Sequence, residues 1–243
     1  MAKKGTRTTQ KRISAPVAVK IRRKEKKFSI RTMPGSHARK KSVALGIVVR
    51  DLLGIAKNAN EARIALNSEN IMVDGKTRKE RQFPVGLFDV VKVRATGKAY
   101  RAVYDSRGRI ALIEIPEKEA EFKLCRIERK QISKGGKTQL TANDGSNYFG
   151  EKTKAKVGDT LKIKLPERKV MEHYALAKGS LIYIIGGKHV SETAKAREIA
   201  EGTLQREKLL ILEAEGKEFQ TNAGNAFVIG EKKAELQLNQ KGE

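Results

Sequence analysis

The 243-residue chain has one cysteine, no tryptophan, five prolines and only 5% aromatic residues. A lone thiol, Cys125, closes no internal disulfide, which fits a reducing, intracellular compartment, and we read it as a buried apolar residue. With 39% apolar residues and few large rings, several small cores of Val, Ile and Leu are easier to build than one large core. Long apolar runs are missing too. The longest, Leu181 to Ile185, has the length of one strand, too short for a membrane span or a signal-peptide core, so a cytoplasmic protein with no membrane partner is expected.

Catalytic and metal-binding groups are equally sparse. His37, His173 and His189 are the only histidines, far apart and with no second cysteine, so local spacing assembles no metal site. No Gly-x-Ser-x-Gly elbow occurs. Gly135-Gly136-Lys137-Thr138 ends like a phosphate-binding loop, but the required Gly six residues before the Lys is Gln131, which leaves a basic hairpin turn. No enzyme activity, cofactor, metal or small-molecule substrate is expected.

Acidic residues are scarce where it matters most. Lys and Arg number 52 against 28 Asp and Glu, a net charge of +24, and the first forty-one residues hold fifteen Lys or Arg against one acid, Glu25. A segment so self-repelling calls for a polyanion, and a phosphate backbone supplies regular negative charge and releases counterions on binding. The head, 1–41, is expected to be extended and disordered until it meets that partner, with Lys11, Arg12, Lys20, Arg22, Arg23, Arg31, His37, Arg39, Lys40 and Lys41 as candidate contacts.

From Ser42 the texture changes. Leu45, Val48, Leu52 and Ile55 recur at helical spacing, with Arg50 and Lys57 off the stripe. A second short helix begins after Asn58 and ends near Asn67, with Asn58 and Glu61 spaced as a capping box and Arg63 projecting. Ile71-Met72-Val73 then meets Asp74-Gly75, a tight hairpin turn, and a polar run carrying Lys76, Arg78, Lys79 and Arg81. Further on, strands are expected at 90–93, 100–104, 110–115, 122–132, 138–141, 160–165, 181–185, 208–212 and 227–229, with a short helix near 192–199. Three basic runs converge on the two-helix module. Structured RNA is preferred to DNA, since nothing supplies a lone recognition helix or a dimer seam.

The residues Ile71 to Lys76 and Pro84-Val85-Gly86-Leu87-Phe88-Asp89-Val90-Val91 resemble the RNA-binding module named after bacterial small-subunit ribosomal protein four. Pro34-Gly35-Ser36-His37, Tyr104 to Arg109, Phe122 to Cys125 and Asn225 to Gly230 are similar to the archaeal and eukaryotic small-subunit ribosomal S-four-e family. That resemblance implies a multidomain α+β chain. Its parts would be a basic extension (1–41), the two-helix RNA-binding module (42–95), a β-rich central domain (96–170), an SH3-like barrel of the KOW type (171–230) and a tail (231–243). The KOW stretch would be Lys178 to His189, with Ser191 and Glu192 departing from the usual Gly-rich turn. The resemblance also implies a structural component of the small ribosomal subunit whose partners are ribosomal RNA and neighbouring ribosomal proteins. Two alternatives stand beside it. One is an RNA-modifying enzyme targeted by the module, although Gly108-Arg109-Ile110-Ala111 stands in place of the Gly-Arg-Leu-Asp context of a pseudouridine synthase. The other is a KOW-type transcription or translation factor.

Overall fold

The computed structural model describes residues 8–133, 136–150, 154–202, 208–214, 216–231, 234–236 and 238. The first seven residues of the head, Gly135 of the phosphate-loop-like turn and most of the tail therefore lie outside the described residues. The chain forms two compact units, Met1–Val103 with Arg109–Ala120, and Tyr104–Gly108 with Glu121–Glu243. Its described residues are mostly β with two short α-helices, a smaller helical share than the α+β expectation implied.

In the first unit, β1 (Thr9–Lys11) pairs antiparallel with β2 (Phe28–Ile30). Residues 8–41 of the head thus include a strand pair, where an extended segment was expected. Its small apolar residues Ala15, Ala18 and Val19 are buried, and the Ala18 carbonyl accepts from the backbone of Ile110 at 2.8 Å. Arg23 donates through Nη1 to the carbonyls of Ile13 and Ala15, both at 2.9 Å. A guanidinium that satisfies backbone carbonyls and three small apolar side chains that bury offset the repulsion, while most of the other cations point to water.

The expected first helix is shorter than its stripe. Ser42–Ala44 is a strand, β3, paired with β6 (Pro84–Gly86), so helix α1 begins only at Leu45 (Leu45–Ile47) and runs on as a π-helical turn over Val48–Leu52. Gly54, with φ of +66°, follows the turn, and Ile55 is exposed. Helix α2 (Ala59–Asn67) buries Ala62 and Leu66. Its expected capping box is not made: the Asn58 side chain forms no cap bond, and Glu61 Oε2 accepts from the Lys57 backbone at 2.8 Å rather than from that of Asn58.

The same unit holds a sheet of β4 (Ile71–Val73), β5 (Lys76–Thr77), β7 (Val90–Val93), β8 (Ala99–Tyr104) and β9 (Ile110–Ile115), in the order β5-β4-β7-β8-β9. The β4–β5 hairpin turns on Asp74 and Gly75 at φ of +50° and +73°, the two left-handed positions of a type I′ turn.

The second unit carries two five-stranded antiparallel sheets. The long β10 (Phe122–Ile132) pairs by its first half with β13 (Thr160–Lys164) and by its second half with β11 (Thr138–Ala142), bulging at Glu128. With β12 (Asn147–Gly150) and β14 (Lys169–Tyr174) the order is β12-β11-β10-β13-β14, around a core of Cys125, Ile127, Leu140, Ala142, Ala155, Leu161 and Ile163.

The other sheet orders β15 (Leu181–Ile184), β16 (Thr193–Ala200), β17 (Leu209–Ala214), β18 (Lys217–Asn222) and β19 (Ala226–Gly230) as β18-β17-β16-β15-β19. The helix expected near 192–199 is strand β16 instead: Ala194 and Ala196 alternate into a core with Ile182, Ile184, Leu210 and Leu212. Arg126 joins the two sheets, donating through Nη1 to the carbonyls of Gly224 (2.6 Å) and Ala226 (3.0 Å), and its burial lowers its pKa.

Candidate nucleic-acid interface

All seventeen cationic or histidine side chains singled out from the sequence lie in the first unit, and the structure sorts them by what they touch. Buried first: Arg12 is only 5% exposed and faces Glu25 at 3.7 Å. His37 is buried with Nε2 2.9 Å from Asp89 Oδ1, while Asp89 Oδ2 accepts from the Gly86 backbone at 2.8 Å. Gly86 is needed beneath the ring, because a Cβ there would stand 2.3 Å from His37 Cγ. The Pro34 to His37 segment thus plugs the head into the β3–β6 region, with Ser36 donating to the Pro84 carbonyl at 3.3 Å.

A second group is held by internal partners while partly open to solvent. Arg23 clamps the backbone as described, Arg39 donates to Gln10 Oε1 at 2.7 Å, and Arg78 stacks over Phe83 at 4.5 Å. Arg50 forks onto its neighbour Asp51 at 2.8 and 2.7 Å, and that bond raises its already high pKa. Lys79 pairs with Glu69 at 2.7 Å. The backbone of half-buried Arg31 is tied to Thr8 and, through its carbonyl, to Gln82.

The third group is free. Lys11, Lys20, Arg22, Lys40, Lys41, Lys57, Arg63, Lys76 and Arg81 are exposed and make no ion pair with a carboxylate among the described residues. Nine exposed cations without a carboxylate partner among the described residues leave this unit with a surplus of positive charge that a polyanion could neutralise.

Two grooves sharpen that surface. Arg31 and Arg39 line one of about 570 Å³ together with Met33, Pro34, Gly35 and Gln82. The other, also about 570 Å³, is walled by Lys11, Arg23, Lys24, Lys26 and Lys27 around Ile13, with Glu25 as an acid in its lining. Lys24, Lys26 and Lys27 were not singled out from the sequence, although the unbroken charge run from Arg22 to Lys27 was the signal that marks them. Gln82 carried no such signal, since an amide in a polar loop is unremarked until a neighbouring strand reaches it.

Among the described residues this arrangement suits a ligand of regularly spaced negative charge. No group of three or more His, Cys, Asp or Glu that could hold a metal is present among the described residues, and none of their helices is long and apolar enough to cross a membrane.

Comparison with known proteins places the chain among a consistent set. The model of ribosomal family S4e matches residues 96–170. The small ribosomal subunit protein eS4 of Methanothermobacter thermautotrophicus is 40% identical over 239 residues, covering 98% of each chain. Its counterpart in Methanocaldococcus jannaschii is 39% identical over 246 residues, 98% of this chain and all of the relative. The crystal structure of the 30S ribosomal protein S4e from Thermoplasma acidophilum matches 78% of this chain and 95% of its own with 31% identity and a TM-score of 0.69.

Proposed function

The chain belongs to ribosomal family S4e, as its full-length identity to the eS4 proteins shows, and from that premise we propose that it grips small-subunit ribosomal RNA by the exposed cations of its first unit. It is a structural, non-catalytic constituent of the small ribosomal subunit, placed in the cytoplasmic ribosome beside ribosomal RNA and neighbouring ribosomal proteins. Near-complete coverage of the eS4 relatives disfavours both the RNA-modifying enzyme and the KOW-type transcription or translation factor.

In this reading the head (1–41) and the two-helix module (42–95), whose sheet runs on through β8 and β9 of the expected central domain, form the RNA-facing part. The central β-domain (96–170) and a KOW-type barrel (171–230) hold orientation, followed by the tail (231–243). Lys11, Lys20, Arg22, Lys40, Lys41, Lys57, Arg63, Lys76 and Arg81 replace condensed counterions on the phosphates. Arg12, Arg23, His37 and Arg39 shape the head that presents them. Support comes chiefly from one observation: these nine cations are solvent-exposed and lack carboxylate partners among the described residues.

Deleting the head would remove His37 and the buried Ala15, Ala18 and Val19, so charge neutralisation is the cleaner test. Replacing Lys40, Lys41, Lys57 and Arg63 together by Gln should lower the logarithmic salt slope of ribosomal RNA binding by about 3, at roughly 0.7 to 0.9 per lost phosphate contact, with the far-ultraviolet circular dichroism unchanged. A slope equal to the parent's overturns the proposal.

A further inference from the structure

The outer face of the β10–β11–β12 ribbon carries chemistry that the basic head and module do not use. The strand registers align Gln131 with Gln139 and Phe149, and Arg129 with Thr141 and Asn147, so these six side chains share one face. Alternation sends Leu140 and Ala142 to the other face, into the core, with Tyr148 packed against them. The six-residue face is therefore the solvent side.

Its composition is unusual for a solvated sheet surface. Phe149, on the edge strand β12, is 64% exposed, with Gln139 and Gln131 beside it at successive strand spacings of about 4.8 Å. Arg129 is exposed two residues along the ribbon and forms no ion pair among the described residues. Thr141 donates to Asn147 Oδ1 at 2.8 Å, which occupies that pair with each other and leaves the ring, the two amides and the guanidinium available. An aromatic ring flanked by amides and a cation, with no aliphatic side chain among the described residues of its face, does not match the apolar centre of a protein interface. It does match the requirements of a nucleobase: a π-surface to stack on, amides that both donate and accept at the base edge, and a positive charge for the adjoining phosphate.

We propose that this face is a stacking platform for an unpaired nucleotide of ribosomal RNA, with the base on Phe149, its edge toward Gln139 and Gln131, and a phosphate on Arg129. The inference rests on the reading that the protein binds ribosomal RNA, and it adds a single-strand contact, in the second unit, to the electrostatic grip of the first.

Because the chain has no tryptophan, Phe149→Trp installs a single reporter in the full-length protein. A short oligouridylate should quench its emission, whereas an RNA duplex of equal length should not. Phe149→Ala should weaken oligouridylate binding about 5- to 150-fold without changing the salt slope, since no cation is lost, and Phe149→Tyr should restore it. Three results overturn the platform: emission indifferent to the oligonucleotide, Phe149→Ala binding within twofold of the parent, or a blue shift seen only on assembly into small subunits, which would mean a protein covers the ring. If Phe149→Ala binds like the parent while the four-residue Gln variant loses salt slope, the platform fails and the electrostatic grip stands. If the parent binds neither RNA, both fail.

Discussion

Replacing Gly86 by Ala should reveal how the basic head is fastened to the module. The new methyl carbon would sit 2.3 Å from Cγ, 2.4 Å from Nδ1 and 2.5 Å from Cδ2 of His37, far inside contact distance. The ring cannot yield cheaply, because Nε2 is 2.9 Å from Asp89 Oδ1 and Asp89 in turn accepts from Gly86. Overpacking costs about 1–3 kcal/mol, and a displaced imidazole that strips a hydrogen bond from a buried carboxylate adds about 1–3 kcal/mol, so a loss of about 2–6 kcal/mol is expected. That is a large fraction of a typical domain stability of about 5–15 kcal/mol. Gly86 does not sit at positive φ, so no backbone strain contributes. In a His37→Ala background the same change should therefore be neutral, or stabilising by about 0.5–1 kcal/mol, because Ala loses less conformational freedom than Gly in a strand. Urea unfolding of the parent, both single variants and the double variant completes the cycle. Additive costs would refute the claim that the imidazole is what excludes a side chain at position 86.

Two further outcomes follow from particular side chains. Burial pushes the phenols of Tyr183 and Tyr104 up to about 12, above the unfolded value near 10, so the folded state favours the neutral rings. Their contribution is complete below about pH 10 and is lost as pH rises toward about 12, at about 1.4 kcal/mol per pH unit and ring. The urea midpoint should fall across that window, and Tyr183→Phe, which loses the two 3.1 Å bonds to the Tyr104 backbone, should blunt the fall; a flat profile would contradict the assignment. Among module cations, Arg63→Ala should reduce the salt slope of RNA binding by about 0.7–0.9, whereas Arg50→Ala should change it by less, because Asp51 already neutralises that guanidinium. Equal changes would mean that RNA displaces the Arg50–Asp51 pair.

Features that depend on neighbours in the chain were legible in the sequence. Asp74-Gly75 specified its turn because two left-handed positions suit those residue types, and the strands at 110–115, 122–132 and 160–165 followed from alternation between turn signals. The surplus of positive charge in the head was equally legible, since net charge does not depend on the fold.

What failed to show were the choices made by distant partners. Residues 193–200 are rich in helix formers, yet they form β16, because pairing with β15 and β17 lets Ala194 and Ala196 bury beside Ile182 and Leu212. Ser42–Ala44, just ahead of the helical stripe that begins at Leu45, pairs with β6 instead of extending the helix for the same reason. Strands β12, β14 and β18 expose most of their residues, so no apolar pattern announced them. In the head, sequence alone settled how much positive charge there is and that it needs a counterpart. Only the tertiary structure decided which cations face outward, because a guanidinium becomes a clamp or a free charge according to which carbonyls, rings and carboxylates the fold carries to it, and those lie up to tens of residues away.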